Sequence, residues 1–304
     1  MTNPIVRSSQ GDGVRFTESF VASNADSVES WTAGREDRFP RGERKYCPGN
    51  QTMFTRSQDF QIAAFFLLVL VFELLERSRP ARELDRWRFL KVDVLSFAFA
   101  ILANRLSHYT VGTLVRPYAP DFMVSSLAWL HTWPSVLRIA VAIVIVDFII
   151  YWLHRGQHRF NALWRTHAWH HSVEHLYWFS GFRTSFLHSF LYAIPAASVP
   201  ILIFGLTPIE AGIGYSIGLL IQFWEHTNLR INLGPLEKII VTPQYHRVHH
   251  SATRHQGMNL GTTFSLWDRM FGTYVDPATV PADVPLGLGE PIDERRIPRM
   301  MLGV

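Results

Sequence analysis

Long apolar runs constrain the fold of this chain more than any other feature of its sequence. They lie between Phe60 and Trp224, and 48% of the 304 residues are hydrophobic. A helix that crosses the hydrocarbon core of a bilayer needs about 20 such residues. Almost no segment shows the period-2 alternation of a half-buried strand. The sequence therefore predicts an all-α integral membrane protein with about four transmembrane helices.

Five apolar segments are candidates for these helices, and they are residues 60–75, 92–115, 135–153, 185–205 and 208–224. The first is the shortest, and Glu73 and Glu76 lie close to its end. It could therefore be a tilted span, a re-entrant helix or a buried helix. The last two segments are expected to form a tight hairpin around Leu206 and Thr207.

Basic residues are distributed unevenly beside these segments. The connection after the first segment contains Arg77, Arg79, Arg82, Arg86, Arg88 and Lys91, whereas Arg116 is the only basic residue in 116–134. By the positive-inside rule the first connection is cytoplasmic, and residues 154–184 and those after Trp224 then lie on the same side. If 60–75 crossed fully, the Arg-rich N-terminal segment would lie outside. We therefore expect that the first segment does not fully cross.

Both ends of the chain are polar and rich in Pro, Gly and charge, over residues 1–58 and 276–304. We expect loosely ordered tails there, flanking a single domain at 59–275. The only cysteine, Cys47, lies in the first tail, so the chain can form no internal disulfide and no thiolate metal site. The net charge of +4 resides largely in Arg beside apolar runs, which fits anionic lipid headgroups and no nucleic-acid partner.

Eight of the 14 histidines form three short clusters. The clusters are His154 and His158, then His167, His170 and His171, then His246, His249 and His250. Residues three or four apart lie on one face of a helix, so each cluster can direct its rings the same way. Eight imidazoles are too many ligands for one metal ion but fit two. The sequence thus predicts a two-metal centre in a cytoplasmic, histidine-rich helical cap, with His131 and His255 as ordinary hydrogen-bonded residues.

These clusters and their surroundings resemble the fatty acid hydroxylase and sterol desaturase superfamily of membrane non-haem di-iron enzymes. The boxes HxxxH, HxxHH and HxxHH occur at 154–158, 167–171 and 246–250. Asp147 before the first box and Trp164 and Arg165 before the second also match. The resemblance covers roughly residues 90 to 275. The closing stretch WDRMFGTY at 267–274 is especially similar to bacterial members and to the alkylglycerol monooxygenase branch.

The resemblance implies that the eight box histidines bind two iron ions that activate O2. His226 matches a further family histidine, which implies a ninth ligand, and Gln222 stands where some relatives have another. His175 could be a ligand or could donate a hydrogen bond to one. Three carboxylates are expected to orient ligand rings or to form salt bridges with nearby Arg, and they are Asp147, Glu225 and Asp268.

The expected activity is hydroxylation, or desaturation, at a C–H position of a membrane lipid such as a fatty acyl chain, a sterol, an ether lipid or an aminolipid. Electrons are expected from a separate reductase through a ferredoxin or cytochrome, at the cytoplasmic face of a bacterial inner membrane. The main alternative is a zinc-dependent membrane hydrolase. That enzyme would be expected to show a Glu beside a His pair, as in HExxH, and none of the three boxes has one. A metal transporter would place its ligands inside the spans rather than at their ends.

Overall fold

The computed structural model describes residues 49–87, 89–115 and 126–304, without the side chains of 49–58 and 115. The N-terminal tail predicted at 1–58 lies mostly outside these residues, and so does Cys47. The described part of that tail, from residue 49, is helical.

The described residues form helices and contain two isolated β-bridges but no strand, which confirms the all-α prediction. In chain order the helices are α1 (Gly49–Ser78), α2 (Leu90–Thr110), α3 (Ser135–Arg159), α4 (Asn161–His167), α5 (Phe186–Ser198), α6 (Pro208–His226), α7 (Pro243–His249), α8 (Leu266–Phe271) and α9 (Ile297–Leu302). Two π-helical segments continue α2 and α5, over Val111–Val115 and Val199–Ile203. Short 3-10 turns lie at Ala128–Thr132, His170–Ser172, Trp178–Phe182, Gly234–Lys238, Pro277–Thr279 and Glu294–Arg296.

Two of the helical segments are long and apolar enough to cross a membrane, Ser135–Arg159 and Phe186–Ile203. Only 28% of the most apolar stretch in each segment is buried, so most of this stretch faces outward. No other helix in the described ranges meets the same criteria of length and composition. The predicted count of about four spans, including residues 60–75 inside α1, therefore stays a prediction.

The turn between α5 and α6 is as tight as the sequence predicts. The π-helical segment ends at Ile203, and α6 begins at Pro208 with Thr207 as its N-cap. Thr207 accepts a hydrogen bond from Glu210 N, and the Glu210 carboxylate accepts one from Thr207 N at 2.7 Å. This reciprocal capping satisfies backbone donors that the first helical turn leaves free.

The helices pack around two buried apolar clusters at opposite ends of α6. One cluster contains Leu130, Ile139, Ala142, Val199, Phe204 and Leu206 and packs near the start of α6. The other contains Phe72, Trp178, Phe182, Leu219 and Phe223 and lies toward its end. In addition, α2 packs along α5, and α3 packs against α4. This arrangement holds the ends of α3, α4 and α6 close together.

The segment 276–304 is packed against the domain, which corrects the expectation of a loosely ordered tail. Arg82 donates hydrogen bonds to the carbonyl oxygens of Ala282, at 2.8 Å, and Val284, at 3.0 Å. A small buried cluster is formed by Val173, Leu176, Val284 and Leu286. At the end of the segment, α9 packs against α4 and α5. The segment is mostly polar, so its composition gives no sign of the few apolar side chains that attach it to the domain.

Candidate metal centre

Nine histidines converge where four helices end. His154 and His158 lie in the last turns of α3, and His226 is the last residue of α6. The second box runs from the end of α4 into the adjacent 3-10 turn, with His167, His170 and His171. The third box is formed by α7 and the residue after it, with His246, His249 and His250. The structure thus brings together all nine residues predicted as ligands.

The first group contains five of these residues, and they are His154, His158, His167, His171 and His249. One ring nitrogen from each lies within 4.8 Å of the others. The Nε2 atom of His167 is 2.9 Å from Nε2 of His154 and 3.0 Å from Nε2 of His171. This group therefore unites residues from all three boxes.

The second group contains the other four residues, and they are His170, His226, His246 and His250. Their Nε2 atoms form a closed ring in which neighbouring atoms lie 3.0–3.3 Å apart. The two groups adjoin each other. The rings of His171 and His250 stack with their centroids 4.6 Å apart, and those of His167 and His170 are 5.1 Å apart.

Burial keeps these imidazoles neutral. It lowers the pKa of His226 from its usual 6.5 to about 4. Burial and the neighbouring rings hold the pKa well below the usual value for the other ligands outside the candidate spans, and these are His167, His170, His171, His246, His249 and His250. A neutral imidazole has one nitrogen that donates and one that offers a lone pair, which is the form that binds metal.

Backbone carbonyls fix the proton position of four rings. The Nδ1 atoms lie 2.7 Å from Leu260 O for His154, 3.3 Å from Arg183 O for His170, 3.0 Å from Gln222 O for His226 and 2.9 Å from Met258 O for His249. A carbonyl oxygen only accepts, so each of these Nδ1 atoms must carry the proton. Each Nε2 is then left with a lone pair that faces its group.

The distance between His170 and His226 shows whether a metal ion fits between their rings. Their Nε2 atoms both carry lone pairs yet lie 3.3 Å apart, with no proton available to join them. Two lone pairs at this distance repel unless a cation lies between them. Metal–nitrogen bonds of about 2.1 Å at right angles place two nitrogens about 3.0 Å apart. Both groups show this spacing, and the Nε2 atoms of His158 and His249 are buried without a partner among the described residues. The residues therefore fit two metal ions.

The three carboxylates predicted to orient the rings occupy different positions. Asp147 accepts hydrogen bonds from the loop before α8 and from Trp267 in α8, and it bonds to no histidine ring of the described residues. Asp268 orients the His154 ring only indirectly. It accepts a hydrogen bond from Leu260 N at 2.7 Å, and Leu260 O in turn accepts one from His154. Glu225 lies nearest to the rings, with its oxygens 3.5 Å from Nδ1 of His226 and 3.8 Å from Nδ1 of His246. No salt bridge joins Asp147 or Asp268 to an Arg within the described ranges.

The remaining polar residues named from the sequence lie outside the two groups. The ring of His175 contacts Phe89, with centroids 5.8 Å apart. Gln222 donates its side-chain amide to Gly181 O at 2.6 Å, and its own carbonyl accepts from His226. His131 lies at the other end of the fold, with Nε2 3.2 Å from Ile203 O.

One histidine beside the centre escaped the sequence analysis. His188 is buried in α5, and its Nδ1 lies 3.0 Å from Nδ1 of His167. It stands alone in an apolar segment, with no histidine three or four residues away, so spacing gives no signal for it. Only the packing of α5 against α4 brings it to the site.

Comparison with known proteins agrees with the resemblance seen in the histidine boxes. Residues 139–273 match the model of the fatty acid hydroxylase family. The match begins in α3 and ends just after α8, so it contains all nine histidines of the two groups. The resemblance inferred from the sequence is confirmed.

Two kinds of lipid-modifying relatives are similar to the chain. It is 32% identical over 242 residues to alkylglycerol monooxygenase of Xenopus tropicalis, which covers 74% of the chain and 50% of that relative. It is 37% identical over 216 residues to the Homo sapiens enzyme of the same name, covering 69% of the chain and 45% of the relative. It is 32% identical over 171 residues to ornithine lipid hydroxylase of Rhizobium tropici, covering 56% and 51%. The chain spans about half the length of these relatives, and no solved structure matches it.

Proposed function

We propose that this chain, whose residues 139–273 form a domain of the fatty acid hydroxylase family, is a membrane oxygenase that uses two iron ions and O2 to hydroxylate a membrane lipid. The observation that carries the proposal is the pair of adjoining imidazole groups, with lone pairs directed into each group. A site made wholly of neutral rings leaves the charge of two metal ions uncancelled, which favours binding of reduced oxygen species.

Bound iron would supply the one chemical ability that the side chains lack, the stepwise reduction of O2. The overall reaction consumes one C–H bond, one O2, two electrons and two protons, and yields one C–OH group and one water. The nine imidazoles would hold and orient the metal ions. Backbone carbonyls would keep the protons of four rings away from the metal, and they belong to Leu260, Arg183, Gln222 and Met258. Burial of the rings excludes bulk water, since all nine ligands are buried or nearly so.

The proposed substrate is a lipid with an alkyl or acyl chain, because the names of the similar relatives refer to alkylglycerol and ornithine lipid. A lipid dissolved in the bilayer can approach along the outward apolar surface of α3 and α5. Desaturation of the same C–H position remains part of the proposal as the alternative product. The electrons are proposed to come from a separate reductase through an acidic ferredoxin or cytochrome.

The proposed topology has about four membrane spans, with the metal centre on the cytoplasmic side of a bacterial inner membrane. The Arg-rich connection between α1 and α2 supports this orientation by the positive-inside rule. Arg77, in the last turn of α1 beside this connection, has a side chain that is 68% exposed, as a contact with lipid headgroups or an acidic carrier requires. Cysteines placed singly in 79–85 and 126–132 would react with an impermeant reagent from opposite sides of the membrane if the topology holds.

A zinc hydrolase is the alternative, and the position of Glu225 argues against it. A general base must reach the water that the metal activates, on the Nε2 side of the ligand rings. The oxygens of Glu225 instead lie beside the Nδ1 atoms of His226 and His246. Glu225 therefore lies on the Nδ1 side of these rings, away from the nitrogens that face the metal site.

The decisive experiment combines metal analysis with oxygen labelling. Purified protein is expected to contain two iron ions per chain and, with a reductant, to incorporate one 18O atom from 18O2 into an extracted lipid. His170→Ala and His158→Ala remove one ligand from each group and are expected to lower the iron content and abolish the labelling. His255→Ala is the control, because this ring belongs to neither group. Zinc alone, with activity that needs neither O2 nor reductant, would overturn the proposal.

A further inference from the structure

His188 is a buried imidazole that touches the metal centre without belonging to either group of ligands. Its side chain extends from α5, and the residue is 6% exposed. Its ring lies nearly parallel to the rings of His167 and His170, at 16° to each, with centroids 4.8 Å and 5.6 Å away. The His188 ring also stacks on the ring of Tyr192, with centroids 4.0 Å apart. His188 thus contacts one ligand from each group.

A chain of hydrogen bonds determines which atoms donate near His188. It starts at Leu163 O, which can only accept, so the Thr166 hydroxyl donates to it at 2.7 Å. The oxygen of Thr166 then accepts from the side chain of Gln157 at 2.9 Å, which must present its Nε2 there. The Oε1 atom of Gln157 accordingly faces the other way and accepts from Tyr192 at 3.0 Å. The Gln157 amide has one orientation that satisfies both contacts.

This orientation decides the role of His188. The Nε2 of Gln157, a donor, also faces Nδ1 of His188 at 3.3 Å. Nδ1 of His188 is therefore the acceptor, and a neutral ring then carries its proton on Nε2. Nδ1 of His167 lies 3.0 Å from this same acceptor, so it must donate. His167 is left with a lone pair on Nε2, the atom that faces His154 and His171.

His167 differs in this respect from the four ligands that a backbone carbonyl holds. The acceptor for its Nδ1 proton is a side chain, which a substitution can remove. Without an acceptor, the buried Nδ1–H would lose its partner, and the proton could move to Nε2, where it would compete with the metal. Partners of this kind orient metal-binding rings, and their loss typically weakens metal affinity about 10- to 100-fold.

We propose that His188 is a positioning residue that accepts the Nδ1 proton of His167 and so keeps the metal-facing nitrogen of that ligand deprotonated. The inference rests on the metal centre proposed above. It predicts that the hydrogen-bond acceptor at this position, rather than the imidazole itself, is what the centre requires.

A matched pair of variants separates the acceptor from the shape of the side chain. Asn and Leu have the same branching, and the Asn oxygen can take the place of Nδ1 of His188. Metal-depleted protein is titrated with Co2+ under anaerobic conditions, and its visible absorption reports the ligands around each ion. His188→Leu is expected to weaken binding of one of two Co2+ ions about 10- to 100-fold and to alter its spectrum. His188→Asn is expected to keep both the affinity and the spectrum of the unchanged chain.

The outcomes distinguish this inference from the function on which it rests. If the unchanged chain does not bind two Co2+ ions, the proposed metal centre fails. If it binds two and His188→Leu binds them equally well, only the role of His188 is overturned. Equal losses in the Leu and Asn variants would also overturn it, because the acceptor would then be irrelevant. If His188→Leu does not fold, His188→Gln replaces it, since its oxygen falls beyond the position of Nδ1. His255→Leu is the control for the loss of an imidazole outside both groups.

Discussion

Asp147 accepts a hydrogen bond from the indole Nε1 of Trp267 at 2.8 Å, across 120 residues of sequence. The same carboxylate accepts from Thr262 Oγ1 at 2.7 Å and from the backbone N–H groups of Thr263, at 2.9 Å, and Phe264, at 3.2 Å. All four donors belong to the loop before α8 or to α8 itself. Asp147 therefore ties the middle of α3 to the segment that places Leu260 against His154.

Replacement of Asp147 by Asn is expected to lower the stability of the fold. The amide has one acceptor oxygen, and its NH2 group would face donors that the carboxylate now satisfies. Buried hydrogen bonds to a charged group contribute about 1.5–3 kcal/mol, so we expect the free energy of unfolding to fall by about 2–3 kcal/mol. Chemical unfolding in detergent micelles, followed by circular dichroism, measures the change. Glu290→Gln, an exposed substitution of the same type, is the control, and an equal effect in both variants would contradict the role of Asp147.

Gly181 is expected to tolerate no side chain, because it lies against a ligand. A Cβ atom at this position would lie 2.7 Å from Nδ1 and 2.8 Å from Cγ of His226. Atoms cannot approach this closely, so Gly181→Ala must displace the His226 ring from its hydrogen bond to Gln222 O, which lies one helical turn earlier. We expect loss of metal from the second group, measured as iron per chain by mass spectrometry.

Gly214 supplies the matched control for this substitution. It lies in α6, the helix that ends at His226, and a Cβ there would have no atom within 4 Å. Gly214→Ala is expected to leave the iron content unchanged and to stabilise the helix by up to about 1 kcal/mol. Iron content at the level of the unchanged chain in Gly181→Ala would show that the second group can move without losing its metal.

Acidification is expected to destabilise the metal-depleted protein. Burial lowers the pKa of His226 to about 4, whereas the unfolded chain restores a value near 6.5. Between these two values the unfolded state binds more protons, so stability rises with pH. The stabilisation is complete above about pH 6.5 and is lost as the pH falls toward about 4, at up to about 1.4 kcal/mol per pH unit for each such ring. Melting temperatures measured from pH 7.5 to 5 at constant ionic strength test this, and a constant or rising value on acidification would contradict it.

Sequence spacing located the histidines well because helix geometry is local. Residues three or four apart on one helix share a face whatever the rest of the fold does. The partners of the rings could not be predicted in the same way. Every residue has a carbonyl, so nothing in the sequence marks Leu260 or Met258 as the acceptor for a ring, and carboxylates were the natural candidates. The tight hairpin at Thr207 was predictable, in contrast, because its capping residues lie within four positions of each other.

Composition misled the prediction for the end of the chain. Residues 276–304 are polar enough to suggest a loose tail, yet Leu286 and Met301 are buried. Leu286 packs with Val173 and Leu176, more than 100 positions earlier, and α9, which contains Met301, packs against α4 and α5. Sequence periodicity carries no information about such distant pairs. The position of His188 was hidden for the same reason.

Gly303 provides a direct test that this C-terminal segment is part of the domain. Its φ of +88° is strained for any residue with a side chain, and a Cβ would lie 2.6 Å from Ser185 Oγ and 3.2 Å from the Cα of Thr166, the neighbour of His167. Gly234 also has a positive φ, of +56°, but a Cβ there would have no atom within 4 Å. Gly234→Ala is therefore expected to cost about 1–2 kcal/mol from backbone strain alone. Gly303→Ala should cost clearly more, because the same strain is joined by a clash at the N-cap of α5. The comparison uses free energies of unfolding from denaturant titration of both variants, and equal costs would mean that the segment after residue 296 does not pack on α4 and α5 in solution.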